Sequence, residues 1–395
     1  MARIHSVREL PVEGRKVFLR LDFNVPVKDG AIRDETRITE ALPTLRHLLD
    51  RGAAVVACSH LGRPKGKVLP EFSLAPVAAR LRELVPGSEV LLAADACGED
   101  ARTKAEALKP GQVLLLENIR FEPGETKDDP ALAAALRALA DIFVNDAFGA
   151  LHRAHASVHA LALLFPERAM GLLVEKELLY LREKLADPPR PYTAILGGAK
   201  VSDKIPVLTT LTEKVDALCI GGAMAYTFLR AKGVGTGSSL VEPDQVEAAA
   251  GILRRASERG IPLLLPEDHV AAPSMESPKE AKIVGNPIPD GLMGLDIGPR
   301  TLAAFVQQVA ASKTILWNGP MGVFETPAFS WGTLAMAHAV ADSGSLSVVG
   351  GGDSVAAINV AWVTGRITHI STGGGASLEL LSGLELPGVK ALETD

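Results

Sequence analysis

Short aliphatic runs recur along the chain, and between them apolar positions fall at helical spacing. KVFLRLDF (16–23), AAVVACS (53–59), QVLLLEN (112–118) and DIFVND (141–146) read as strands, whereas TEALPTLRHLLDRG (39–52) and PALAAALRALA (130–140) read as helices. Strand and helix in alternation predict an α/β unit with a parallel sheet. After about residue 190 the same grammar restarts with YTAILGG, DALCIGG, IPLLLPE, KTILWNG, LSVVGGG and RITHISTGG, each followed by a turn or a helical stretch. Between the halves, LVEKELLYLREKLADPPRP (173–191) carries a helical pattern of leucines and charges that stops at Pro188, Pro189 and Pro191, and it reads as a connecting helix. The expected division is residues 1–170, a hinge at 171–190, a second domain at 191–378 and a tail at 379–395.

Length agrees with this division, since 395 residues suit two domains of ~150 to 200 residues each. A hydrophobic content of 47% with 22% charged residues belongs to an ordinary globular protein. The net charge of -6 argues against nucleic acid or an anionic membrane as the main partner, so any anion site has to be local. Cys58, Cys97 and Cys219 have no C-x-x-C spacing, which suits reduced thiols in cytosol better than a disulfide framework or a zinc site. The N-terminus lacks the apolar core of a signal peptide, and no stretch approaches the roughly 18 apolar residues of a membrane helix.

In open parallel sheets, ligands bind beyond the carboxyl ends of the strands. In the first half those positions hold Arg20, Asp22 and Asn24 in RLDFNVP, His60 and Arg63 in SHLGR, Arg120 in ENIRF, and His152 and Arg153 in HRAHAS, with Arg37 at the start of the following helix. Guanidinium groups hold phosphate and carboxylate in bidentate fashion, so several together imply a small, multiply charged anion. Any one of them alone is as well explained by a surface salt bridge. Lys plus Arg nearly balance Asp plus Glu over residues 1–150, so a basic patch there would have to be placed. Asp22 and Asn24 suit either a turn or acceptors for substrate hydroxyls, and His60 and His152 are individually weak signals.

In the second half GGAKVSDKI (197–205) presents Lys200 and Lys204 one helical turn apart, on one face if the helix has begun. GGGDS (350–354) and TGGGAS (372–377) are strand-to-helix turns whose backbone N–H groups suit an anion. Asp353 beside bound phosphate suits magnesium, or equally a helix N-cap. WNGPMGVFE (317–325) is dense in Gly and Pro after a strand, and from it Glu325 could reach a ribose hydroxyl, although the segment alone would mean little. There is no G-x-x-x-x-G-K-[ST], and GVGTGSS (233–239) does not complete G-x-G-x-x-G.

Taken in order, RLDFNVP, SHLGRP, ENIRF, DAFG, HRAHAS, GGAKVSDKI, GLDIGP, WNGPMGVFE, GGGDS and TGGGAS resemble the signature set of the phosphoglycerate kinases, from Arg20 to Leu381. The resemblance implies two Rossmann-like parallel-sheet domains joined by a connecting helix, with a cleft between them, in a monomer whose C-terminus returns to the first domain. It implies that Asp22, Phe23, Asn24, Arg37, His60, Leu61, Gly62, Arg63, Arg120 and Arg153 bind 3-phosphoglycerate or 1,3-bisphosphoglycerate. Lys200, Lys204, Gly294, Asn318, Glu325, Gly351, Gly352, Asp353 and Ser354 would bind ATP or ADP as co-substrate. Asp353 would meet Mg2+, and Arg37, Lys200, Gly351 and Gly374 would be catalytic. Three segments depart from the family pattern: Ala150 and Leu151, Leu292, and Ser382–Gly383–Leu384. The competing readings are a dinucleotide-dependent oxidoreductase, which the incomplete glycine motif disfavours, and a non-catalytic anion-binding or scaffold protein of the same fold.

Overall fold

The computed structural model describes residues 3–394. The chain forms two compact units, one comprising residues up to Leu179 together with the segment from Glu385, the other Tyr180–Leu384. It passes from one to the next inside a helical stretch, α-helical at Leu172–Leu178 and wound into wider π turns at Leu179–Lys184.

The first unit is built on a sheet of six parallel strands in the spatial order Val90–Leu92, Val113–Leu115, Ala54–Cys58, Lys16–Arg20, Ile142–Asn145, Arg168–Met170. Alternation along these strands feeds two cores. Val17, Leu19, Val55 and Ala57 face the helices Thr36–Asp50 and Ala75–Leu84. Phe18, Val56 and Phe143 face Ala101, Ala105, Leu132, Leu136 and Phe165 on the other side. A strand buried on both faces has to be apolar at nearly every position, which is why these runs are continuous rather than alternating. The segment from Glu385 adds Leu392 to the second core and pairs Glu393–Thr394 antiparallel with Arg3–Ile4.

The second unit repeats the plan with a six-stranded parallel sheet in the order Leu263–Leu264, Ala217–Ile220, Tyr192–Leu196, Thr314–Asn318, Leu346–Gly350, His369–Ser371. In chain order this is 3-2-1-4-5-6, the doubly wound arrangement whose direction reverses between its first and fourth strands. Ile195, Ile315, Trp317 and Val349 pack there against the helices Pro299–Ala311, Trp331–Asp342 and Gly352–Val360. A further antiparallel sheet, Lys282–Gly285, Asp268–Ala272 and Met293–Ile297, has no counterpart in the hydrophobic pattern. Its edge strand is exposed and carries no apolar face long enough to register as a strand.

Candidate functional site

In the first unit the loops beyond three strands, Lys16–Arg20, Ala54–Cys58 and Val113–Leu115, are stitched together by polar side chains. Asp22 Oδ1 accepts from the Asn24 N–H at 3.1 Å, and Ser59 Oγ accepts from the Phe23 N–H at 2.8 Å. Asn24 Oδ1 accepts from the Gly62 N–H at 2.8 Å. Asn118 then accepts from the Leu61 and Arg120 N–H groups and donates to the Leu61 carbonyl. Asp22 and Asn24 therefore do make the turn that the sequence allows.

On this framework stand the cations. Arg37 reaches back from the first turn of its helix to Asp22. Arg120 is buried and donates through Nη1 to the Gly62 carbonyl at 2.8 Å. Arg153 donates to His152 Nε2 at 3.0 Å, while Arg63 is exposed. Arg63, Lys65, Arg120, Lys127 and Arg153 line one cavity of about 450 Å³ with a single carboxylate, that of Glu122. Burial and the crowding of like charges both disfavour the protonated forms here. Burial, and then the charges of Arg20 and Arg153, push the Arg120 guanidinium down to about 10. Burial followed by Arg120 and Arg20 push His155 down to about 4. Burial drives His60 well below its ordinary value, so it stands as a neutral imidazole. The cavity is a cationic surface short of negative charge.

Beneath it Arg20 is fully buried at the end of the central strand. Its Nε donates to Ser157 Oγ at 2.7 Å, its Nη2 lies 3.7 Å from Glu125, and Glu125 in turn accepts from the Ser157 N–H and hydroxyl at 2.9 and 2.7 Å.

In the second unit the reversal between Tyr192–Leu196 and Thr314–Asn318 is where the glycine loops meet. The Gly197 N–H donates to the Asn318 carbonyl at 3.0 Å, the Gly198 N–H to Pro320 at 2.9 Å and the Gly222 N–H to Met321 at 3.0 Å. A Cβ on Gly197 or Gly222 would run into the Pro320 carbonyl, so this closeness of backbones requires glycine. Asn318 donates to the Gly350 carbonyl at 2.9 Å, and Ser354 Oγ accepts from the Gly319 N–H at 2.6 Å.

Lys204 enters this crevice buried, donating to the Asn318 side-chain oxygen and lying 3.4 Å from the Asn318 carbonyl. No carboxylate lies within ion-pair distance of it among the described residues, and burial pushes its ammonium down to about 8 despite Asp203 and Asp353. Lys200, by contrast, is exposed. The two lysines do not share a helix face: the helix runs Ile205–Lys214 with Lys204 as its N-cap, and Lys200 precedes it in a turn. Asp353 is likewise not an N-cap. That position belongs to Gly351, whose φ of 92° favours glycine, and Asp353 projects exposed from the first turn of Gly352–Val360. Gly374, at φ 53°, heads the next helix. Glu325 is exposed on the loop after Asn318, and Gly294 donates to Ser239 Oγ at 2.9 Å while packing against the Tyr226 ring.

A family model described as phosphoglycerate kinase matches residues 7–384. The chain belongs to the phosphoglycerate kinase family. The phosphoglycerate kinase of Anaeromyxobacter sp. (strain K) is 52% identical over 394 residues, 99% of either chain. That of Clostridium perfringens (strain SM101 / Type A) is 50% identical over 389 residues, 98% of either chain. Among solved structures, phosphoglycerate kinase from Coxiella burnetii matches with a TM-score of 0.89 at 39% identity over 99% of both chains. That from Pyrococcus horikoshii OT3 gives 0.86 at 34% identity over 98% of both.

Of the three departures from the family pattern one lies in an apolar cluster, and the other two take hydrogen bonds on their backbone carbonyls. Leu292 joins Tyr226, Leu229, Ala271 and Ile288 in an apolar cluster, the Leu151 carbonyl accepts from the Gly388 N–H at 2.9 Å, and the Ser382 carbonyl accepts from Thr210. Lys65, Lys127 and His155 line the cationic cavity without having been singled out. Lys65 stood in view two residues beyond Arg63, whereas nothing local distinguishes Lys127 from a surface lysine.

The depressed Lys204 sets a pH dependence. Between about 8 and the ordinary lysine range the unfolded chain keeps a proton that folded Lys204 has released, so stability should rise with pH across that interval. Chemical denaturation at about pH 7.5 and about pH 9.5 checks this, and Lys204→Met should flatten the rise. An equal rise in both proteins would contradict the shift.

Proposed function

We propose that this chain catalyses reversible phosphoryl transfer between 1,3-bisphosphoglycerate and MgADP, giving 3-phosphoglycerate and MgATP. The observation that carries the reading is a cavity in the first unit lined by five cations and one carboxylate, together with a buried lysine among glycine loops and helix starts at the strand ends of the second sheet. A compact multiply charged anion suits the first, where Asp22, Asn24, Arg37, His60, Arg63, Arg120 and Arg153 would hold the phosphoglycerate, supported by Phe23, Leu61 and Gly62. A polyphosphate suits the second, where Lys200, Lys204 and the N–H groups at Gly351 to Ser354 would hold the nucleotide phosphates, with Gly294, Asn318 and Glu325 around the nucleoside.

Transfer of this kind rests on positioning and charge stabilisation. The acceptor is a carboxylate with a reference pKa of about 4, ionised at neutral pH, so no general base is needed. Arg37 from one side and Lys200 from the other would neutralise the phosphoryl group as it passes in line, with the backbone N–H groups at Gly351 and Gly374 aimed at the same charge. Magnesium fits the residues present. Among the described residues no cluster of three or more acidic, histidine or cysteine side chains offers a closed cage, while Asp203 and Asp353 are exposed carboxylates close enough to Lys204 to act on its charge, Asp353 at the helix start that would face phosphate. A hard cation that keeps its waters and takes ligands mainly from phosphate suits that arrangement. When bound, it supplies charge neutralisation on the nucleotide phosphates.

The same reading takes the chain as a cytosolic monomer. No helix among the described residues is long and apolar enough to cross a membrane, and Cys58, Cys97 and Cys219 are free thiols.

Two measurements test the proposal. In an NADH-coupled assay with ATP, 3-phosphoglycerate and magnesium, the wild type should turn over, and Lys200→Ala should lower kcat by ~10²-fold while changing either KM far less. Absence of turnover by the wild type would overturn the function, and a kcat within about threefold would leave Lys200 a binding residue only. Because reacting atoms must approach to about 3 to 3.5 Å and each unit carries one charge set, the units should close by a hinge when both ligands are bound. Small-angle scattering should then give the smallest radius of gyration for the doubly liganded protein, and identical radii in the apo, singly and doubly liganded states would remove the hinge.

A further inference from the structure

Lys200 stands in a turn that is clamped on both sides. On one side the Gly198 N–H is held by the Pro320 carbonyl at 2.9 Å. On the other, Val201 and Ser202 are held by a single carboxylate forty residues on. Glu242 Oε2 accepts from the Val201 N–H at 2.5 Å and from the Ser202 N–H at 3.1 Å, and its Oε1 accepts from the Ser202 hydroxyl at 2.6 Å. Between the clamps lie only Ala199 and Lys200, both exposed.

Glu242 is itself fixed. Its N–H donates at 3.1 Å to the hydroxyl of Thr227, a buried residue of the helix Met224–Ala231. Restraint thus runs from a helix of the sheet's outer layer, through Glu242, into the two residues that follow Lys200. Burial opposes the charge on Glu242, but the bonds from Ser202 and Val201 and the nearby Lys200 charge outweigh it and hold the carboxyl below its ordinary value. It is therefore an ionised acceptor at neutral pH, able to take three hydrogen bonds at once.

From this geometry we propose that Glu242 is a positioning residue for phosphoryl transfer: by clamping Val201 and Ser202 it holds the Lys200 ammonium where the transferring group passes. The proposal rests on the reading of Lys200 as the charge that acts during transfer. Val201 also feeds the start of the next helix, since its carbonyl accepts from the Lys204 and Ile205 N–H groups at 2.8 and 3.0 Å. Lys204 keeps its own hold on Asn318, so the weaker restraint falls on the exposed lysine.

The test is a double-mutant cycle on kcat, with thermal unfolding to confirm that each protein is folded. Glu242→Ala should lower kcat by ~10- to 100-fold, as for displacement of a catalytic group by about an ångström, with the KM for 3-phosphoglycerate within about twofold of wild type. In a Lys200→Ala background the same change should cost less than about threefold more, because a clamp has nothing to place once the ammonium is gone. Glu242→Gln keeps an oxygen for the two N–H groups and should retain most of the activity. Ser202→Ala, which removes one of the three bonds, should fall between wild type and Glu242→Ala, and it carries the cycle with Lys200→Ala if Glu242→Ala does not fold. Equal fold-losses with and without Lys200, or no loss on Glu242→Ala, would overturn the proposal. If Lys200→Ala alone leaves kcat within about threefold, the reading of Lys200 fails first, and the cycle identifies that failure separately.

Discussion

Cations gathered at the ends of parallel strands have to be held in place without being neutralised, because a carboxylate paired to each one would cancel the field an anion needs. The chain meets this constraint largely with uncharged partners. Arg120 is oriented by the Gly62 carbonyl, Arg153 by the His152 imidazole and Lys204 by the Asn318 amide. None of these acceptors carries a full charge, so orientation is gained while the positive potential survives. The depressed Arg120 and Lys204 record the cost, since their charged forms are buried without full compensation. A bound anion would supply what the protein withholds.

Where carboxylates do appear, they sit behind the cations or beside a loop. Glu125 answers the fully buried Arg20 from beneath the cationic cavity, and through Ser157 it secures the loop that carries Arg153. Glu242 holds the backbone after Lys200 and forms no ion pair with the lysine. Asp22 is the exception, paired directly with Arg37. Around the two sites Glu125 and Glu242 thus fix backbone or balance a buried group, whereas Asp22 pairs with Arg37 and Glu122 lines the cationic cavity itself.

Much of the fold was legible because strands buried on both faces leave uninterrupted apolar runs, as at Val17, Phe18 and Leu19, whose side chains serve two separate cores. The sheet Asp268–Ala272 with its neighbours was not, since Lys282–Gly285 is mostly exposed and the buried strands DHVAA and MGLDI are interrupted by Asp268, His269, Gly294 and Asp296. The candidate site divides in the same way. Residues at strand ends could be located by counting along the chain, so the arginine set and the glycine loops stood out. The spacing of Lys200 and Lys204 does not say whether the helix has begun, whereas Pro206, which belongs in a first turn, marks its start at Ile205. Glu125 and Glu242 gave no local sign, because their partners lie 32 and about 40 residues away and only folding brings them together.

The central claim is that each unit carries its own anion site at the ends of its sheet. Backbone amide shifts of isotope-labelled protein, titrated separately with 3-phosphoglycerate and with MgADP, test it most directly. The account predicts that 3-phosphoglycerate shifts amides around Asn24, Gly62, Arg120 and Arg153, and that MgADP shifts those around Gly198, Lys204, Gly319 and Gly351 to Ser354. Shifts from both ligands confined to the same unit would contradict it.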